Sequence, residues 1–145
     1  MKIINSDNLE LFEEFNNESV KIFSELEIIA EKLEETPQNN HLFESFGQKV
    51  DRIMGAAYSL ELKSLGRLCE LGKNLGYRVS QTQDRGNRDI VCALLFELVE
   101  MGAQYLEQLM DTGELPHAEE IEAIIKKLEI ADNQYSDIQR KSLKM

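Results

Sequence analysis

Apolar residues recur at alternating spacings of three and four through nearly the whole chain, and no stretch alternates with period two long enough to argue a strand. At about 100° per residue, this rhythm lays Phe12, Phe15, Ser19, Ile22, Leu26, Ile29 and Leu33 in one stripe of a long helix predicted over about Asp7 to Glu35. Asp7 is suited to cap that helix, with Glu10 reaching back as in a capping box. Leu11, Phe23 and Ala30 widen the stripe beyond a two-stranded seam, which favours packing in a bundle over an isolated coiled coil.

Breaks divide the rest of the rhythm. Thr36-Pro37-Gln38-Asn39-Asn40 holds a proline and two capping residues, and a second helix follows from about Asn40 to Ser59 with Phe43, Phe46, Val50, Ile53 and Ala57 in its stripe. A third, about Leu62 to Val79, packs Leu65, Leu68, Cys69, Leu75 and Val79. It also carries Gly66, Gly72 and Gly76, each costing about 1 kcal/mol against alanine, so close helix–helix approach is expected there. Gln81 to Asn87, including Asp84, reads as a polar loop. A fourth helix follows to about Met110, with Val91, Leu94, Leu98, Met101, Tyr105 and Leu109 as its stripe. After the break at Asp111 to Pro116, a last helix runs from about His117 to Arg140. Short loops between long helices imply antiparallel neighbours. The expected architecture is all-α: one domain over residues 1–145, an up-down four-helix bundle over about 7–110 with an additional C-terminal helix over about 117–140.

Charge and cysteine usage narrow the function classes. A net charge of −11 repels polyphosphate and anionic lipid surfaces, so neither nucleic acid nor membrane is expected as a partner. Cys69 and Cys92 fall at apolar-patterned positions and read as buried reduced thiols. The N-terminal stretch lacks a signal-peptide core, and the longest apolar run, Ile90 to Phe96, is too short to span a bilayer. A cytoplasmic location is therefore expected.

The stretch from Val50 to Lys73 carries the most information. Asp51 falls about 120° from the stripe of its helix, and one turn on lie Gly55 and Ala56, a nearly bare patch of backbone. Here the frame Asp51-Arg52-Ile53-Met54-Gly55-Ala56-Ala57, followed by Leu60, Leu62, Leu65 and Leu68, resembles the histidine phosphotransfer (Hpt) family, most closely the N-terminal domain of chemotaxis-type histidine kinases. That family carries His-x-x-Lys-Gly on its second helix. The resemblance covers about Asp7 to Met110, and the bundle order is what it implies. Asp51 stands where the phosphoacceptor His would be and Met54 where the neighbouring Lys would be. On helix three, Glu70 takes a place that is often His, and Lys73 one that is often Glu.

The resemblance therefore implies a degenerate site at Asp51, Met54, Gly55, Glu70 and Lys73, a pseudo-Hpt with no catalytic residue, metal or cofactor. Phosphotransfer needs an accessible ring nitrogen with a pKa near neutrality. His41 lies ten residues before the site, about 15 Å along the helix, and His117 lies outside the matched region. Both read as solvated. Receiver domains phosphorylate Asp by holding Mg²⁺ among carboxylates, and helix two offers only Glu44 and Asp51. The reversed charges of Asp51 and Lys73 suggest an ion pair across the old site.

What the resemblance leaves is docking. A response-regulator receiver domain or a histidine kinase would contact Gly47, Gln48, Asp51, Met54, Gly55 and Tyr58, with Met54 and Tyr58 as apolar anchors or as flanks of the core. Two alternatives stay open. One is an aspartyl-phosphate phosphatase working through helix-borne acid–amide pairs, Gln48 with Asp51 or Glu13 with Asn16, Glu14 with Asn17 having the same spacing. The other is a structural or oligomerisation bundle, whose mark would be an uncovered apolar stripe on the first or fifth helix. Oligomeric state is not legible.

Overall fold

The computed structural model describes residues 1–83 and 86–138. Among these residues are five helices: α1 (Leu9–Glu35), α2 (Asn40–Ser59), α3 (Lys63–Ser80), α4 (Arg88–Thr112) and α5 (Ala118–Asn133). No strand occurs among the described residues beyond an isolated antiparallel bridge between Lys2 and Glu114. Asp84 of the expected loop and the expected helix end at Arg140 lie outside the described residues.

Local chemistry sets the helix boundaries. The Asn39 side chain accepts the Leu42 amide at 3.1 Å, and that of Asn87 accepts the amides of Asp89 and Ile90, so both breaks end in working caps. Gly113 closes α4 at φ 73°, a conformation glycine adopts without penalty. The capping box expected at Asp7 and Glu10 does not form. Asn5 and Asn8 bond each other's backbone instead, the Asp7 amide donates to the Asn5 side chain, and α1 begins at Leu9 with no side-chain cap. α5 is shorter than its periodicity suggested, because residues 134–137 turn to bring Tyr135 fully inside.

α1 packs on α2 and α4, α3 packs on α2 and α4, and α5 lies on α3 and α4. Consecutive helices pair in opposite sequence order: Glu18 with Arg52 and Glu25 with Lys49 across α1 and α2, Asp51 with Lys73 and Tyr58 with Glu70 across α2 and α3. α5 runs in the same order as α3, with Ser64 bonded to Glu122 and Arg78 to Asp132. The result is a four-helix ring with a fifth helix laid on one side.

The stripes meet in one core. Leu26, Leu33, Phe43, Phe46, Val50, Leu65, Leu68, Leu75, Leu95 and Leu98 have no accessible surface. At about 2 kcal/mol for each fully buried large side chain, the stripes outweigh any single surface pair, so the chemistry on α2 can change without cost to the fold. Leu11, expected in the widened stripe, is instead 54% exposed, whereas Phe23 and Ala30 are buried. Among the described residues no helix is long and apolar enough to cross a membrane.

Candidate functional site

The site is built on α2, whose exposed ridge separates two seams. Along the seam with α3, Lys73 Nζ lies 2.9 Å from Asp51 Oδ1, with the two side chains only 16% and 33% exposed. The ion pair expected from the reversed charges is thus formed. Tyr58 donates its hydroxyl proton to Glu70 Oε1 at 2.8 Å, and Arg67 binds the same oxygen at 3.2 Å while reaching Glu129 of α5 at 2.9 Å. Burial, then the Glu70 hydrogen bond and charge, push the Tyr58 phenol up to about 12. Met54 is half-buried against the core. At the positions where the Hpt resemblance places phosphotransfer chemistry, Asp51, Met54 and Glu70 are therefore each engaged by a neighbour inside the fold.

Glycines make this seam tight. A methyl group on Gly76 would lie 2.7 Å from the Phe43 carbonyl oxygen and 3.0 Å from the Gly47 nitrogen, so α2 and α3 touch backbone to backbone. Gly66 lies under the Tyr58 ring and Gly72 against Leu98, which accounts for all three glycines of α3 by close approach. One expectation about α2 is corrected here, and one open alternative is decided. Gly47 is not presented to solvent, because the Tyr77 ring covers it and leaves no room for a side chain. Tyr58, although 39% exposed, is held over Gly66 and bonded to Glu70, so it flanks the core rather than standing free as an anchor.

The seam with α1 is open. A recess of about 370 Å³ runs between the helices, lined by Phe15, Ser19, Ile22 and Leu60, with exposed Ala56 and Leu11 at its edges. It continues past Leu60 toward Ile3, Glu61 and Leu115, where Glu61 holds a left-handed backbone at φ 62°. On the ridge between the two seams Gln48, Arg52, Gly55, Ala56 and Ser59 are exposed, and a methyl group on Gly55 would meet nothing within 4 Å. Arg52 reaches across the recess to Glu18 at 2.9 Å.

Of the acid–amide pairs, Gln48 is exposed but its partner Asp51 is held by Lys73, Glu13 is exposed, and Asn16 is half-buried. Glu14 and Asn17 both face a shallow recess beside Arg52. His41 and His117 are exposed. Both thiols are buried. Burial pushes the Cys69 thiol well up, and burial with the Asp89 charge takes Cys92 up to about 11, so neither is a thiolate nucleophile at neutral pH.

Sequence reading missed one polar residue that matters for the fold. Arg88, 5% exposed, donates to the carbonyls of Pro37, Val79 and Thr82 and stands 5.3 Å over the Phe43 ring, tying the α1–α2 break to the end of α3. Its charge meets the carbonyls at the negative end of α3, and an arginine right after a capping asparagine gives no periodic signal of that. Neither the scan against protein-family models nor the comparison with curated proteins finds a significant match for this chain.

Proposed function

We propose that this chain is a non-catalytic, Hpt-like binding protein of two-component or chemotaxis signalling, one that docks a response-regulator receiver domain, or its kinase, without accepting phosphate. The observation that carries the reading is the Asp51–Lys73 contact of 2.9 Å at the position where the resemblance places the acceptor. An acyl phosphate on Asp51 would require pulling the carboxylate off Lys73, and Met54 offers no cation to balance the arriving phosphoryl group. The exposed ridge of Gln48, Gly55 and Ala56 nevertheless stays flat and open to a partner.

The test is the lifetime of the aspartyl phosphate on candidate receiver domains, with this protein in excess and the phosphoryl group labelled. The expected result is a detectable complex, an unchanged or lengthened lifetime, and no label on this chain. Label appearing on Asp51 would refute the reading. A lifetime shortened tenfold, about 1.4 kcal/mol off the barrier, would replace it with the phosphatase and direct mutation to Glu14, Asn17 and Gln48.

A further inference from the structure

We infer that the end of the bundle beside the α2–α3 turn holds a site for a small amphipathic cation, an ammonium group on a short aliphatic stem, with Glu61 as its counter-ion. The inference goes beyond the binding-protein reading and does not rest on it. A pocket of about 450 Å³ lies there, within the range of about 300 to 1,000 Å³ usual for small-molecule sites. Four separate parts of the chain wall it: Ile3 of the N-terminal segment, Leu11 and Phe12 of α1, Leu60 at the end of α2, and Leu115 between α4 and α5. Backbone groups tie those parts together. The Ile3 and Ile4 amides donate to the Gly113 carbonyl at 2.8 and 3.1 Å, and the Asn8 side chain donates to the Ile3 carbonyl at 2.9 Å.

The charge at this pocket sits where the backbone does not ask for a side chain. α2 ends in a Schellman turn: the Leu62 amide donates to the Ala57 carbonyl at 2.9 Å, the Glu61 amide to that of Tyr58 at 3.0 Å, and buried Leu62 supplies the apolar contact. The left-handed position of such a turn suits glycine, and the other described residues with positive φ, Gly86 and Gly113, are glycines. Glu61 takes that position at φ 62°. What glutamate adds to the turn is a carboxylate at the pocket, where strain and a functional group coincide. It is the one charged residue among those described in the lining, and its side chain makes no hydrogen bond or ion pair among the described residues.

Shape and charge together select the ligand. An anion would be repelled by Glu61 in a chain of net charge −11. A neutral hydrocarbon would strip water from the carboxylate and return no bond. An alkylammonium covers the apolar walls with its stem and gives Glu61 a charge-assisted hydrogen bond.

The probe is hexylammonium, titrated into the isotope-labelled full chain and followed by amide chemical shifts. Its controls are hexanol, hexanoate and methylammonium, which lack the charge, its sign and the stem in turn. Hexylammonium is expected to bind at least fivefold tighter than each control, with shifts at Ile3, Leu60, Glu61 and Leu115. Glu61→Gly should raise the melting temperature, since glycine suits the turn, while reducing hexylammonium affinity to that of hexanol. Glu61→Gln, which keeps a side chain of the same size, should lose the preference equally. Leu115→Ser, at an exposed position, should weaken hexylammonium and hexanol by the same factor. Equal binding of hexylammonium and hexanoate, shifts centred away from this end of the bundle, or affinity unchanged in both Glu61 variants would overturn the site.

Discussion

Against α3, helix α2 packs backbone on backbone at Gly47 and Gly76, buries Gly47 under Tyr77, and spends Asp51 and Tyr58 on partners across the seam. Against α1, the same helix keeps its side chains small at Ala56 and Ser59, bridges through the Arg52–Glu18 and Lys49–Glu25 ion pairs, and leaves a recess. The difference lies in which residues sit on which flank of one amphipathic stripe. Glycine opposite glycine closes a seam; alanine and serine opposite leucine and phenylalanine leave it open. The face that the Hpt resemblance marks for chemistry is the closed one, so what remains for a partner is the ridge and the open side.

The comparison breaks most readily at Gly76 and Gly55. Gly76→Ala should cost about 3 kcal/mol, because the groups its methyl meets are backbone and cannot step aside. Gly55→Ala, on the open ridge, should instead stabilise by about 0.8 kcal/mol through helix propensity alone. Chemical denaturation of the two variants reads the contrast directly, and equal costs would mean the seams are alike. Smaller is the coupling between Asp51 and Lys73. A double-mutant cycle with Asp51→Asn and Lys73→Met should give about 1 kcal/mol, as befits a partly exposed pair, and zero coupling would remove the ion pair as a closing device.

A separate readout is the titration of Tyr58. Its folded pKa of about 12 lies above the ordinary 10, so the neutral phenol's contribution is present in full below pH 10 and is lost as pH rises through about 12. A difference absorbance titration of wild type against Tyr58→Phe should isolate one late-ionising phenol. A step at the ordinary value would show that the Glu70 contact does not hold in solution.

Helix number, helix type and the core were legible because a three-four rhythm fixes them: of the stripe residues from Phe12 to Leu33 all are buried, as are Phe43, Phe46, Val50, Ile53 and Ala57. The Asp51–Lys73 contact was legible too, through a charge reversal at two positions that the resemblance pairs. The sides of α2 were not. Periodicity gives the angle of Met54, Tyr58 or Gly47 from the stripe, but which neighbour stands at that angle depends on the path of the whole bundle. Gly47 thus reads as free surface, and Tyr58 stays undecided between anchor and flank, when each has a residue of α3 against it. Leu11 fails the other way. It lies at the stripe's edge on the side where α1 and α2 part, and so remains exposed at the edge of the recess. Arg88 was invisible because it bonds backbone carbonyls of Pro37, Val79 and Thr82, which no side-chain pattern records.

The most direct test is an amide chemical-shift titration of the isotope-labelled full chain with whichever receiver domain forms a complex. The account predicts that shifts concentrate at Leu11, Arg52, Gly55, Ala56 and Leu60, with Lys73 and Tyr77 unmoved. Shifts centred on Asp51, Glu70, Lys73 and Tyr77 would contradict it, since they would require the closed seam to open.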